Sequence, residues 1–228
     1  MAVHRMTAEG SAAPAEEMPA HERAYQALRS EILSGRMAPG QALTLRGVGE
    51  ALGLSMTPAR EAVRRLVAER ALTLSETGRV QVADPGRAGL EELFAARGLL
   101  EPALAERAAR HLAKEDRAPL LDRLRAIDDA LEREMRRGDA AAYVAANLRF
   151  HATLYAPARA PALMALVESV WLQTAPAMRR INARLGERLG TDFHEAALDA
   201  LGSGDAAGLA EAIRADVAQG ARLLETED

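Results

Sequence analysis

Two groups of residues have types and spacings that could do chemistry. The first lies in Ser55-Met56-Thr57-Pro58-Ala59-Arg60-Glu61-Ala62-Val63-Arg64-Arg65-Leu66-Val67. Hydroxyls and arginines gathered at one end of a helix can bond phosphate oxygens and base edges. Arg60 has the planar fork for a bidentate approach to guanine. Arg46, Ser55, Thr57, Arg64 and Arg79 suit contacts to the sugar-phosphate backbone. The second group is Asn147, His151, His194 and Asp216. Asn147 and His151 are i,i+4 neighbours on one helical face, and His194 and Asp216 fall on two later helical stretches. Two imidazoles and a carboxylate converging from facing helices suit a divalent cation such as zinc, nickel or manganese. Periodicity does not establish that convergence. His151 between Phe150 and Leu154 also fits a hydrogen-bonded core histidine, and Asp216 a solvated helix residue.

The first group needs two helices and a turn to position it. Thr44 to Leu52 reads as a short helix closed by Gly53, although Gly47 and Gly49 inside it each cost roughly 1 kcal/mol against alanine. Ser55 or Thr57 can cap the next helix, with Pro58 in its first turn, where a missing N–H is tolerated. Ala59, Ala62, Val63, Leu66 and Val67 share one face, and Arg60, Arg64 and Arg65 point elsewhere. A short helix, a turn and a helix with a polar N-terminal end form a helix-turn-helix, whose second helix enters the DNA major groove. Upstream, His21–Ser34 is helical, with Ala24, Leu28, Ile32 and Tyr25 on one stripe and Gly35 at its end. Downstream, Leu72-Thr73-Leu74 and Val80-Gln81-Val82 flank a turn containing Gly78, which predicts a hairpin with Arg79 at its tip.

The second group needs a bundle. Beyond Asp84-Pro85-Gly86 the chain predicts six helices and no strand: about 87–114, 115–137, a third to Tyr155, a fourth from Pro161 to about Leu185 bent near Pro176, a fifth capped by Thr191 or Asp192, and a last to Leu224. The predicted organisation is a disordered extension over residues 1–19, a DNA-binding unit over 20–84 and a helical domain over 85–228. The fold class is mainly α.

Composition agrees. The chain has 228 residues, 49% hydrophobic and only 3% aromatic, which favours helices packed through small side chains. Net charge is −4, but residues 20–84 carry nine Lys+Arg against seven Asp+Glu, and residues 85–228 carry nineteen against twenty-three. The mildly basic part is the part predicted to meet DNA. No apolar run is long enough for a membrane span, and there is no secretory signal pattern. The absence of cysteine removes disulfides and thiolate metal sites and fits a cytoplasmic protein.

Ile32-Leu33-Ser34-Gly35, Pro39-Gly40, Leu43 and Ser55-Met56-Thr57-Pro58-Ala59-Arg60-Glu61-Ala62 resemble the winged helix-turn-helix of the GntR family of bacterial transcription regulators. The family commonly has arginine where this chain has Met56, so the resemblance implies a different reading of the operator at that position. Leu90 to Val217 resembles the all-helical FCD ligand-binding domain of the FadR-type branch, in its VanR-like subgroup. That resemblance implies a homodimer on a near-palindromic operator, a small organic acid as effector and repression as the common mode. It also implies metal ligands at Asn147, His151, His194 and Asp216, with two oxygen donors where the family often has an acidic residue and a third histidine. Arg97 resembles a family arginine near the effector pocket, and Arg149 is a second candidate of that kind; Arg97 could equally pair internally with Glu101. Trp171 is expected in the core.

Two other classes fit parts of the pattern. A metal-dependent hydrolase could use two histidines and a carboxylate, but His194-Glu195 lacks the second histidine of a zinc-protease motif, Leu198 standing in its place. A DNA-binding dimer without effector would need only the bundle.

Overall fold

The helical stripes become helices at nearly the expected places. The structure, a computed structural model, describes residues 18–75, 79–185 and 192–224. Gly78, Thr191 and all but the last two residues of the predicted extension lie outside the described residues. Helix α1 (Ala20–Leu33) buries Ala24, Tyr25, Leu28 and Ile32. Helix α2 (Leu45–Leu52) is capped by Thr44, whose side chain accepts from the Gly47 N–H, and is closed by Gly53 in the left-handed conformation. Helix α3 (Met56–Ala68) buries Ala59, Ala62, Val63 and Leu66. Ser55 holds the capping position of α3 without a side-chain hydrogen bond, and Thr57 lies within the first turn. Gly49 in α2 has a packing reason: a Cβ there would come within 2.8 Å of the Leu54 carbonyl, so glycine lets the turn close against the helix.

The hairpin is present as β2 (Leu72–Leu74) and β3 (Val80–Val82), antiparallel with Leu72 opposite Val82. A further strand, β1 (Ala42–Leu43), pairs with the other edge of β3 and gives the order β1-β3-β2. Two residues are too few to show alternation in a sequence.

The bundle consists of α4 (Gly86–His111), α5 (Lys114–Arg137), α6 (Ala140–Tyr155), α7 (Pro161–Leu185), α8 (Asp192–Ser203) and α9 (Ala206–Leu224), with a 3-10 turn at Ala156–Ala158. The first of these ends at His111 rather than Lys114, because Lys114 opens the next helix. Helix α7 runs unbroken through Pro176. Leu90, Phe94, Leu104, Leu124, Phe150 and Trp171 belong to the bundle core.

Helix α7 also joins the two parts. Leu172 is buried in the core of the N-terminal part, beside Trp171 in that of the bundle. Arg29 of α1 pairs with Glu168 at 2.6 Å, and Arg179 donates to the Gly35 and Arg36 carbonyls at 3.2 and 2.9 Å. Gly35 has φ +64°, and a Cβ on it would lie 3.1 Å from the Arg179 Cβ. Gly35→Ala therefore adds crowding to left-handed strain of about 1–2 kcal/mol. Thermal unfolding should show a larger loss for Gly35→Ala than for Gly53→Ala, which has φ +63° and no neighbour within 4 Å. Equal losses would mean that α7 does not press on this turn.

Candidate metal centre and nucleic-acid interface

Helix α3 turns one face into its own core and the other outward. Ser55, Met56, Thr57, Arg60 and Arg64 are exposed. Met56, 48% exposed, is a large apolar side chain at the otherwise polar N-terminal end of α3, with no hydrogen-bond donor to offer. Arg46 is exposed and pairs with Glu50 at 2.8 Å. Arg79 is exposed at the hairpin, its N–H donating to the Ser75 hydroxyl at 3.0 Å. Arg65 has a structural role: it pairs with Glu22 at 2.8 Å and Glu69 at 3.3 Å, and its guanidinium lies 3.5 Å over the Tyr25 ring.

In the bundle, His151 from α6, His194 from α8 and Asp216 from α9 converge. One potential ligand atom from each lies within 4.8 Å of the others. His151 Nε2 is 3.2 Å from Asp216 Oδ2, and His194 Nε2 is 3.8 Å from Asp216 Oδ1. The opposite ring nitrogens are already committed. His194 Nδ1 meets Asp128 Oδ1 of α5 at 2.7 Å, and the Phe150 ring stacks on the imidazole at 3.9 Å. His151 Nδ1 meets the Tyr155 hydroxyl at 3.0 Å, and that hydroxyl donates to Glu101 Oε2 at 2.9 Å. Because the Tyr155 proton goes to Glu101, Tyr155 can only accept from His151, which places a proton on His151 Nδ1. Asp128 fixes the His194 proton on Nδ1 in the same way.

Both Nε2 lone pairs then face the Asp216 carboxylate. His151 Nε2 is buried and has no hydrogen-bond partner. Lone pairs aimed at a carboxylate repel it unless a cation or a proton stands between them. An orphaned buried nitrogen, a second imidazole and a carboxylate, each imidazole held from behind, form a donor set that fits a divalent metal. Burial alone would raise the Asp216 carboxyl; a hydrogen bond and positive charge from His151, then His194 and Arg97, would outweigh it and hold the group at about 2, so the carboxylate calls for a proton or cation between it and the rings.

Around this trio lies a buried charged network, of which the sequence disclosed only the Arg97–Glu101 pair. Glu101 is fully buried and accepts from Arg97 Nε at 2.5 Å and from Trp171 Nε1 at 3.0 Å, besides Tyr155. Burial would raise the Glu101 carboxyl, but Arg97 and then His151 hold it below its ordinary value of 4.5. Burial, and then Glu101, push the Tyr155 hydroxyl far up, so it stays a donor. Arg97 and Asn147 line a cavity of about 30 Å³ with Tyr143 and Asp216, about the room of one water. Asn147 therefore faces the Asp216 side as expected, whereas exposed Arg149 lines outer clefts on the other side of α6. Asp128, Tyr143 and Tyr155 were missed, because their signal is the partner each meets across the bundle and no local spacing encodes it.

Among the described residues, no helix is long and apolar enough to cross a membrane. Residues 20–82 match the model of bacterial regulatory proteins of the gntR family, and residues 92–219 match the FCD domain. The chain is 29% identical over 151 residues to the HTH-type transcriptional regulator McbR of Escherichia coli, covering 66% of each, just under two thirds of that relative's length. It is 30% identical over 133 residues, 58% of this chain and 77% of the relative, to an HTH-type transcriptional regulator from the TAR-I ttuE-ttuC' intergenic region of Agrobacterium vitis. In fold it is similar to the solved E. coli McbR/YncC, at TM-score 0.81 and 24% identity over 92% of this chain and 99% of that one. A GntR transcriptional regulator from Rhodococcus sp. RHA1 gives TM-score 0.73 and 20% identity, over 91% and 99%.

Proposed function

We propose, on the premise that this chain belongs to the GntR family of bacterial regulatory proteins in its FCD-domain branch, that it is a repressor whose bundle senses a small organic acid. The chain is a DNA-binding transcription regulator, and the relatives it matches are regulators rather than enzymes. The observation that carries the sensing reading is the convergence of two imidazole Nε2 atoms on Asp216, each ring held by a partner on its other nitrogen.

His151, His194 and Asp216 would hold the metal, with Asn147 beside Asp216 as a fourth, neutral oxygen donor. When bound, a zinc, nickel or manganese ion supplies a positive coordination position for a carboxylate. Arg97 lines the same cavity, but Glu101 already neutralises much of its charge, so Arg97 orients an acid more than it attracts one. A cavity with room for one water must widen to take even a small acid. Trp171, bonded to Glu101, and Leu172, in the N-terminal core, are successive residues of α7. That adjacency supports coupling, by linkage, between the cavity and the set of the DNA-binding part.

The same reading makes the working form a cytoplasmic homodimer on a near-palindromic duplex. Its support is two large apolar side chains left exposed on helices that pack together, Leu99 at 78% on α4 and Leu166 at 58% on α7, which a second copy would cover. On DNA, Arg60 reads a base, and Arg46, Ser55, Thr57, Arg64 and Arg79 hold the backbone, with Met56 against a base edge. Arg60→Ala is expected to weaken specific operator binding by roughly 1–3 kcal/mol while sparing non-specific binding. Fluorescence anisotropy with promoter fragments of its own locus and random duplex, at one salt concentration, tests this. Unchanged discrimination would remove Arg60 from the base-reading role, and no preference for the promoter by the wild type would end the regulator reading of these helices.

A further inference from the structure

A second, far larger cavity lies in the bundle away from the one beside Asp216. A groove of about 740 Å³ runs along the corner where the end of α4, the start of α5, α6 and the 3-10 turn meet, more than twenty times the volume of that inner cavity. Arg123, Arg149 and Arg159 line it from three different elements. All three are exposed, and none of the three guanidiniums has a hydrogen bond or ion pair within the described residues.

Several arginines of this domain are neutralised within their own helix. Arg110, Arg136, Arg137 and Arg214 each pair with a glutamate three or four residues away in their own helix. The sequence denies such partners to the groove arginines. Arg149 has Ala145, Ala146, Ala152 and Thr153 at the helical neighbour positions, and Arg123 has Pro119, Leu120, Ala126 and Ile127. A part of the chain with more acid than base therefore leaves three guanidiniums on one groove without an ion pair, although Asp116 also lines it. Arg159 adds a backbone signal, with φ +49° and ψ +45°. Glycine adopts that left-handed conformation freely, and arginine does so only against steric cost. A charged side chain held there at a groove is the pattern of a residue kept for what it binds.

Between the arginines Leu112, Pro119 and Pro157 add apolar surface to a lining that also holds His111, Asp116 and Thr153. Guanidinium forks match the paired oxygens of phosphoryl groups, and the volume suits a molecule of nucleotide size. We propose that this groove is a second ligand site, separate from the Asp216 centre, for a phosphorylated organic molecule with a flat apolar body. Asp116 on the rim disfavours long polyanions, since a duplex or extended nucleic acid would have to pass that carboxylate. This proposal does not rest on the metal or on the small acid.

Adenosine 5′-monophosphate serves as the probe, titrated calorimetrically into the full chain after dialysis against chelator, so that no metal at Asp216 can hold it. Saturable binding is expected, weakened at least tenfold in Arg149→Ala/Arg159→Gly and unchanged in Arg136→Ala/Arg137→Ala, a control of equal charge loss. Adenosine should bind at least tenfold more weakly than the monophosphate. Glycine at 159 relieves backbone strain, and matching far-UV circular dichroism excludes misfolding as the cause of any loss. Failure of the wild type to bind, equal weakening in both double variants, or equal affinity for adenosine would each overturn the proposal. Inorganic pyrophosphate competing as strongly as the monophosphate would overturn the part played by the apolar wall. A loss in Arg60→Ala instead would place the anion on α3.

Discussion

Glu101→Ala is expected to destabilise the chain by about 3–5 kcal/mol, among the largest costs available to a single substitution here. Glu101 is fully buried and Arg97 is 4% exposed, so the carboxylate's removal strands a guanidinium where water cannot reach it. Tyr155 and Trp171 also lose their acceptor. For a chain of this size the thermal midpoint should fall by roughly 6–20 °C. Glu101→Gln keeps the shape and one acceptor oxygen but not the charge, and should fall between. The double variant Arg97→Met/Glu101→Leu should cost far less than the sum of its parts, because both buried charges then leave together. Acid gives a second readout with a fixed sign. The folded-state carboxyl is held below 4.5, so the stability it contributes is present above that pH and is lost as pH falls through the depressed value. The gap between wild type and Glu101→Gln should therefore close on acidification. A midpoint shift under about 2 °C for Glu101→Ala would mean that Arg97 finds other compensation and that the network does not organise the centre.

Much of this arrangement was legible in residue spacing, and what was not has a common cause. The buried faces of α1 and α3 follow from apolar residues three and four apart. Asn147 shares the face of His151 because it sits one turn away, and Arg149 leaves that face because residues two apart on a helix point apart. Convergence across helices is another matter. Asp128 lies in a run of charged residues, Asp128-Asp129-Ala130-Leu131-Glu132, whose local pattern is that of a solvated face, and only the fold turns it toward His194. Glu101 looked like the partner of Arg97 at i+4, and it is. Nothing in spacing could show that Tyr155 and Trp171, some fifty-four and seventy residues later, would meet the same carboxylate. The outer groove stayed hidden because no local spacing shows that Arg123, Arg149 and Arg159 face one cleft.

Asp216→Ala should abolish metal uptake, and the way it does so distinguishes a metal centre from a hydrogen-bonded core. If the centre holds metal, chain purified without a nickel column and stripped by chelator takes up one equivalent of zinc, nickel or manganese. Removing Asp216 deletes the only anionic member of the trio and lowers affinity by at least about 100-fold. Asp128→Ala touches no ligand atom, yet it frees the His194 ring to turn and to change tautomer, and should cost about 10–100-fold. Arg149→Ala, on the outer side of the same helix, should leave uptake unchanged. Metal at a hundred times its dissociation constant stabilises the folded state by about 2.7 kcal/mol, so the thermal midpoint should rise by roughly 5–11 °C and fall back with chelator. A hydrogen-bonded core makes the opposite set of statements: one imidazole carries a proton on Nε2 and shares it with Asp216, chelator does nothing, and Asp216→Ala destabilises the metal-free chain to the same extent whatever ion is present. Elemental analysis with calorimetric titration of the wild type, Asp128→Ala and Asp216→Ala decides between them. A stripped wild type that binds none of the three ions leaves His151, His194 and Asp216 as a buried proton-sharing cluster, and any acid effector must then be held by Arg97 and Asn147 without a metal.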